Sequence, residues 1–306
     1  MTAPETRTAP FGRMLCAMIT PFTSSGALDP DAAGRHAAAL VADGCDGLVL
    51  NGTTGESPTT TDAEKAALLR AVRAAVGGRV PIVAGVGGPD TRHTIDLARQ
   101  AERAGADGLL VVAPYYSRPP QAAVETYFRR VADATGLPLM LYDIPDRTGI
   151  RVEPETLLRL AGHPRVVAVK DCAYDLLGST KVIGATSLAY YSGCDELNLP
   201  LYAVGAAGCV STVANVAPRQ LRALLDAFDA GNTAEAARLN RLLTPLTELM
   251  TASGLPGTVT AKALLGAGPV REPLQPAGRG ATDGLRRAYE ELLTTTGRCP
   301  SPAPVP

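Results

Sequence analysis

A chain of 306 residues with 29 Lys and Arg against 30 Asp and Glu carries a formal charge of −1, and without a basic run it has no electrostatic means of gripping nucleic acid or an anionic membrane. Its longest apolar stretches, such as 108–114 and 166–169, are strand-length and far short of the roughly 20 residues that span a bilayer. The six cysteines (Cys16, Cys45, Cys172, Cys194, Cys209 and Cys299) lack CxxC or metal-ligand spacing and read as free thiols, no secretory pattern opens the chain, and a cytoplasmic protein with a small-molecule partner is the expectation.

Residues 1–11 are poor in large apolar groups and are expected to be disordered. Eight β-rich runs then alternate with helix-length Ala/Leu/Arg segments: MLCAMIT (14–20), GLVLN (47–51), VPIVAG (80–85), GLLVVA (108–113), PLMLYD (138–143), VVAVKD (166–171), LAYYSG (188–193) and GCVST (208–212). Their apolar residues are consecutive instead of alternating, the pattern of parallel strands buried on both faces. Eight units, with no Gly-x-Gly-x-x-Gly turn after the first strand, favour an α/β chain closed as a (β/α)8 TIM barrel over an open doubly wound sheet. Helix starts are punctuated by Asp29-Pro30, by Thr61-Asp62 with Glu64, and by Pro154. After the eighth strand only helices are predicted, at 218–230, 233–252, 258–265 and 281–295. The barrel is therefore assigned to 12–230, a C-terminal helical extension to 231–296, and a disordered tail to 297–306.

In a barrel of this kind the βα loops gather at one face, so chemistry is sought where strands end. Only four lysines occur, and Lys170 alone ends an apolar strand, whereas Lys65, Lys181 and Lys262 fall in predicted helices. A lysine among apolar neighbours loses hydration, its pKa falls, and the neutral amine attacks carbonyls. Position alone equally allows a lysine that leaves the strand to pair with Asp171. Gly52-Thr53-Thr54-Gly55 after the second strand resembles an anion cradle, although glycine turns are frequent in βα connections. Tyr142 and Tyr116, near the ends of the fifth and fourth strands, read either as a proton relay or as core tyrosines with a wet tip. Arg147 offers a planar fork for a carboxylate, and by itself also fits a surface arginine.

Taken in order, GTTGES (52–57), PYYSRPPQ (114–121), LYDIPDRTG (141–149), VVAVKD (166–171) and YYSGCDELNLP (190–200) resemble the dihydrodipicolinate synthase family of Schiff-base pyruvate aldolases, from about Phe11 to the end of the helical extension. The resemblance implies that Lys170 forms an imine with pyruvate and that Thr53, Tyr142 and Tyr116 relay protons. Tyr116 would reach into a neighbouring subunit, which makes a homodimer or homotetramer the expected assembly. It further implies that Thr54 holds the pyruvate carboxylate, that Gly193 and Val210 line the pocket, and that Arg147 binds the carboxylate of aspartate semialdehyde. The product would be 4-hydroxy-tetrahydrodipicolinate, in lysine and diaminopimelate biosynthesis. Neither metal nor organic cofactor is required, because the protonated imine is the electron sink.

Three departures stand out. Asp143 occupies a position where many members carry asparagine. Where lysine-inhibited members use His, Asn and Glu, this chain has Asp62, Lys65, Pro89 and His93, which predicts insensitivity to L-lysine. Gly87-Gly88-Pro89-Asp90 is atypical, with no role legible. Two alternatives stay open: a related pyruvate aldolase or lyase acting on another aldehyde, which fold cannot separate, and a catalytically silent barrel that binds or regulates.

Overall fold

The computed structural model describes residues 8–252 and 254–296. All eight predicted runs are strands: β1 (Met14–Ala17), β2 (Gly47–Leu50), β3 (Ile82–Gly85), β4 (Gly108–Val112), β5 (Leu139–Asp143), β6 (Val166–Asp171), β7 (Ala189–Ser192) and β8 (Gly208–Ser211). Each pairs in parallel with the next, and β8 pairs with β1 to close the barrel.

The consecutive apolar residues are explained by two cores. Successive strand residues face opposite sides, so Leu15, Val49, Val83, Leu110, Met140 and Val210 fill the barrel interior. Their neighbours, such as Met14, Cys16, Leu48 and Ile82, pack outward against the helices. Phe11 is fully buried, and its ring lies 2.4 Å from where a side chain on Gly108 would begin. Packing thus begins at Ala9, which lies against the interior core three residues ahead of the assigned barrel start and inside the segment expected to be disordered. The remainder of the termini expected to be disordered, 1–7 and 297–306, lies outside the described residues.

The helices that cover the strands are α1 (Pro30–Ala42), α2 (Asp62–Val76), α3 (Thr91–Arg103), α4 (Gln121–Asp133), the four-residue α5 (Pro145–Thr148), α6 (Pro154–Leu160), α7 (Leu176–Ala185), α8 (Asn198–Ala203) and α9 (Pro218–Asp229). Asp29 caps α1 by accepting from Ala32 N at 2.9 Å, and Thr61 with Glu64 forms the expected capping box on α2. The atypical 87–90 run has a packing role. A Cβ on Gly87 would stand 2.4 Å from Val112 N, Gly88 exchanges hydrogen bonds with the Tyr127 hydroxyl, and Asp90 caps α3. Among the described residues no helix is long and apolar enough to cross a membrane.

The extension consists of α10 (Thr233–Thr247), whose axis continues as a π-helical turn over Glu248–Ala252, then α11 (Gly257–Leu265) and α12 (Arg279–Thr296). It is fastened to the loop after β2. Lys262 Nζ lies 2.5 Å from Glu56 Oε1, with both side chains almost fully buried, and also donates to Pro269 O. Arg271 forms a two-point contact with Glu64, donates its backbone N–H to Glu56, and stacks with Lys262 around the Phe22 ring at 4.1 and 3.9 Å. The Arg271 guanidinium holds the Glu64 carboxyl down to about 2.

Removing one member of a buried ion pair leaves the other charge desolvated and uncompensated. Lys262→Met is accordingly expected to lower the unfolding free energy by about 3–5 kcal/mol, read from urea midpoints, and adding Glu56→Gln should restore much of that loss.

Candidate active site

Tyr142, Lys170 and Tyr191 are Cα partners across β5, β6 and β7. Lys170 shares its strand face with Ala168 and Cys172, which belong to the interior core, so its stem enters the barrel mouth. Asp171 faces the other way, where it accepts from Ala173 N at 2.8 Å and from the Ser179 hydroxyl. This disposes of the Lys170–Asp171 ion pair that position alone allowed. Lys170 is 5% exposed, with Nζ 4.3 Å above the Tyr142 ring centre, and makes no ion pair among the described residues. Burial lowers its pKa, which favours the neutral, nucleophilic amine.

Burial also pushes the Tyr142 hydroxyl well above its ordinary range, partly offset by a hydrogen bond with Thr53. The phenol therefore stays protonated near neutrality and can pass a proton along a hydroxyl pair. Thr53 and Thr54 are presented by a tight reversal in which Gly55, Glu56 and Ser57 N–H groups bond back to Gly52 and Thr53 carbonyls. Two features hold that loop against the strands: Thr20 Oγ1 donates to Gly55 O at 2.7 Å, and a Cβ on Gly85 would strike Asn51 O at 2.2 Å. Thr54 Oγ1 lies 3.1 Å from Thr212 Oγ1.

Arg147 stands on α5, which Pro145 opens and Gly149, at φ +68°, closes. The Thr148 hydroxyl ties this turn to Ile144 O and Ile150 O. With Thr53, Thr54, Tyr142, Lys170 and Gly193, Arg147 lines one cleft of about 730 Å³. A neighbouring cavity of about 430 Å³ shares Thr53, Tyr142 and Arg147 and is walled further out by Asp62, Lys65, Pro89 and His93. There His93 Nε2 sits 2.9 Å from Asp62 Oδ2.

Two predicted residues are placed apart. Val210 is fully buried in the interior layer and does not line the cleft, because the surface at the end of β8 belongs to Thr212. Tyr116 is 91% exposed, at φ +71°, and does not line this chain's own cleft.

Sequence reasoning missed Asp195. It is buried and accepts from Thr212 N, Val213 N, Asn198 and the Ser211 hydroxyl, which fixes the loop after β8 against the cleft. Its spacing to Asn198 was a weak signal. Also missed were Cys172 and Cys194 in the cleft wall, 22 positions apart in the chain.

The sequence profile of the dihydrodipicolinate synthetase family matches residues 10–292. The chain belongs to that family. It is 70% identical to 4-hydroxy-tetrahydrodipicolinate synthase 1 of Streptomyces coelicolor over 95% of this chain and 97% of that protein. It is 57% identical to the 4-hydroxy-tetrahydrodipicolinate synthase of Acidothermus cellulolyticus, over 88% of each. Among solved structures, dihydrodipicolinate synthase DapA-2 of Bacillus anthracis superposes with a TM-score of 0.89 at 36% identity, covering 92% of this chain and 98% of that one. The lysine-bound enzyme of Cyanidioschyzon merolae superposes with the same score at 37% identity, with the same coverage.

A methyl group on Gly193 would lie 2.5 Å from Cys172 Sγ and 2.8 Å from Lys170 Cε. Since an ångström of misplacement can cost about 100-fold in rate, Gly193→Ala is expected to slow reductive trapping of a keto acid on Lys170 by a factor of that order.

Asp143 is buried, accepts from Val152 N at 3.1 Å, and has its carboxyl pushed up to about 7 by burial. Its folded pKa exceeds the unfolded one, so the fold favours the protonated form and loses stability as pH rises from the ordinary carboxylate range to about 7. Asp143→Asn should therefore gain stability relative to the parent at pH 8, by at most about 4 kcal/mol, and little at pH 4. Thermal melts at the two pH values check this.

Proposed function

We propose that this chain is a Schiff-base lyase that condenses pyruvate with L-aspartate 4-semialdehyde to 4-hydroxy-tetrahydrodipicolinate, the reaction named for its relatives at 70% and 57% identity. The observation that carries the reading is Lys170: a buried amine that pairs with no carboxylate among the described residues, above the Tyr142 ring, in a cleft that also presents Thr53, Thr54 and Arg147.

The Lys170 amine attacks C2 of pyruvate, and the carbinolamine loses water to give the protonated imine. That cation draws electrons from the methyl carbon, which loses a proton and becomes the enamine nucleophile. Tyr142 and Thr53 carry protons during these steps, and Tyr116 extends the relay from a neighbouring subunit of a homodimer or homotetramer. A relative described as a monomeric dihydrodipicolinate synthase variant makes that last assignment a point for experiment. Thr54 holds the pyruvate carboxylate by hydrogen bonding. The enamine then attacks the aldehyde carbon, and the semialdehyde's own amine displaces Lys170 by closing the ring. Arg147 pairs with the carboxylate of this second substrate. Gly193 leaves room for the Lys170 stem, and Val210 supports the cleft from below. The covalent imine does the work that an added cofactor would otherwise supply.

Borohydride reduction in the presence of pyruvate is expected to place one pyruvyl adduct on Lys170 and none on Lys170→Ala, read by peptide mass. An adduct without turnover of aspartate semialdehyde would redirect the assignment to another aldehyde. Arg147→Ala should leave pyruvate trapping intact while raising KM for the semialdehyde by roughly 10–100-fold, the value of a lost charge-assisted hydrogen bond.

The second cavity supports insensitivity to L-lysine. Its Asp62 carboxylate is engaged by His93, and Lys65 brings a cation that donates to Thr60 O. Millimolar L-lysine is expected to leave the initial rate unchanged, and a micromolar inhibition constant would refute this.

A further inference from the structure

Cys172 and Cys194 have no part in the chemistry above, yet both line the Lys170 cleft. Cys172 is the first residue beyond β6 and Cys194 the second beyond β7. Those strands end with Asp171 opposite Ser192, a pair closed by Gly193 N donating to Asp171 O at 2.9 Å. The chain leaves strand geometry at this point, since Cys194 precedes the helical turn Asp195–Leu197, and its side chain reaches the cleft that Cys172 also lines. Strand ends about 4.8 Å apart put the two residues on the scale of the roughly 4.4–6.8 Å between Cα atoms that a disulfide bridges.

The side chains complete the arrangement. The Cys172 and Cys194 thiols perturb one another's titration, and Cys172 Sγ sits 2.5 Å from the point where a Cβ on Gly193, the residue before Cys194, would stand. Cys172 is buried, whereas Cys194 is partly exposed to the cleft. The Tyr174 hydroxyl lies between Cys194 and the Glu196 carboxylate. Donation from the Cys172 thiol, joined by Tyr174 and opposed by burial, holds the Cys194 pKa below the ordinary thiol value. A thiolate with access to solvent is the form that oxidants attack. Cys16 and Cys45 also touch, but both are closed off from solvent, and burial pushes Cys16 far above the ordinary range.

We propose that Cys172 and Cys194 form a hydroperoxide-sensitive dithiol whose closure to a disulfide reversibly switches off the adjacent Lys170. The Cys194 thiolate attacks the peroxide oxygen, the O–O bond breaks, and hydroxide or alkoxide leaves as the sulfur becomes a sulfenic acid. The Cys172 thiol then attacks that sulfur, an S–S bond forms, and water departs. Two electrons have passed from the sulfurs to the peroxide, which ends as water, or as water and an alcohol. Drawing the sulfurs to bonding distance pulls on Gly193, whose Cβ position is already 2.8 Å from Lys170 Cε and 2.9 Å from Cγ. The amine is thereby displaced from its place over Tyr142. The effect on activity rests on the Schiff-base reading, and formation of the disulfide does not.

The test uses the full-length reduced protein, treated with hydrogen peroxide, alkylated and mapped by peptide mass, with pyruvate trapping and turnover measured in parallel. A Cys172–Cys194 linked peptide is expected, with pyruvate trapping down on the order of 100-fold and both effects reversed by dithiothreitol. Cys172→Ser and Cys194→Ser should each give an oxidised-to-reduced activity ratio near one. Sulfinic acid on Cys194 without the linked peptide, or a linked peptide with unchanged trapping, would overturn the switch. A reduced protein that never traps pyruvate overturns the Schiff-base reading instead, and is told apart because the linkage is read by mass alone.

Discussion

Everything at the mouth of this barrel depends on keeping one ammonium ion poorly solvated and unpaired. Lys170 meets both conditions through the two-residue period of β6. Its stem enters the interior between Tyr142 and Tyr191, while the next residue, Asp171, is turned to the helix side and occupied by Ser179 and Ala173. Had the strand slipped by one residue, the carboxylate would face the cleft and the lysine the helices. Burial makes the amine titrate low, while the π face of the Tyr142 ring partly offsets the cost of a cation at this position.

The other two buried lysines show the contrast. Lys65 donates to Thr60 O, and Lys262 pairs with Glu56 and Pro269 O. Each is satisfied and each serves a scaffold. The Lys262–Glu56 contact joins the helical extension to the loop carrying Thr53 and Thr54, and Thr258 of the same helix donates to Thr54 O at 3.0 Å. A segment that is last in the chain thus shapes a site built by the second strand.

The strands were legible because burial on both faces writes consecutive apolar residues into each one, and closure followed from their number. Lys170, Tyr142 and Thr53 were legible because polar residues at strand ends are conspicuous against that background. Asp195 was not: a carboxylate satisfied by backbone N–H groups of a later loop leaves no local pattern. Val210 was carried over by motif, yet its depth depends on a register with β1 that only three dimensions display. Tyr116 is equally instructive, since nothing in its own chain gives that exposed ring a place in the cleft, and the role implied by the resemblance calls for a second subunit. Short elements such as α5 and α8 escaped prediction because four to six residues are too few for a helical period to emerge.

The turn that bears Arg147 has a bearing on how such a catalyst diversifies. It is begun by its own proline, ended by its own glycine, and tied by Thr148 to carbonyls at either end, all within residues 144–150. The turn follows β5 directly, yet most of the contacts that shape it are its own. If Arg147 selects the second substrate as proposed, exchange of this heptapeptide alone alters the electrophile accepted while Lys170 and the keto-acid half of the site stay as they are.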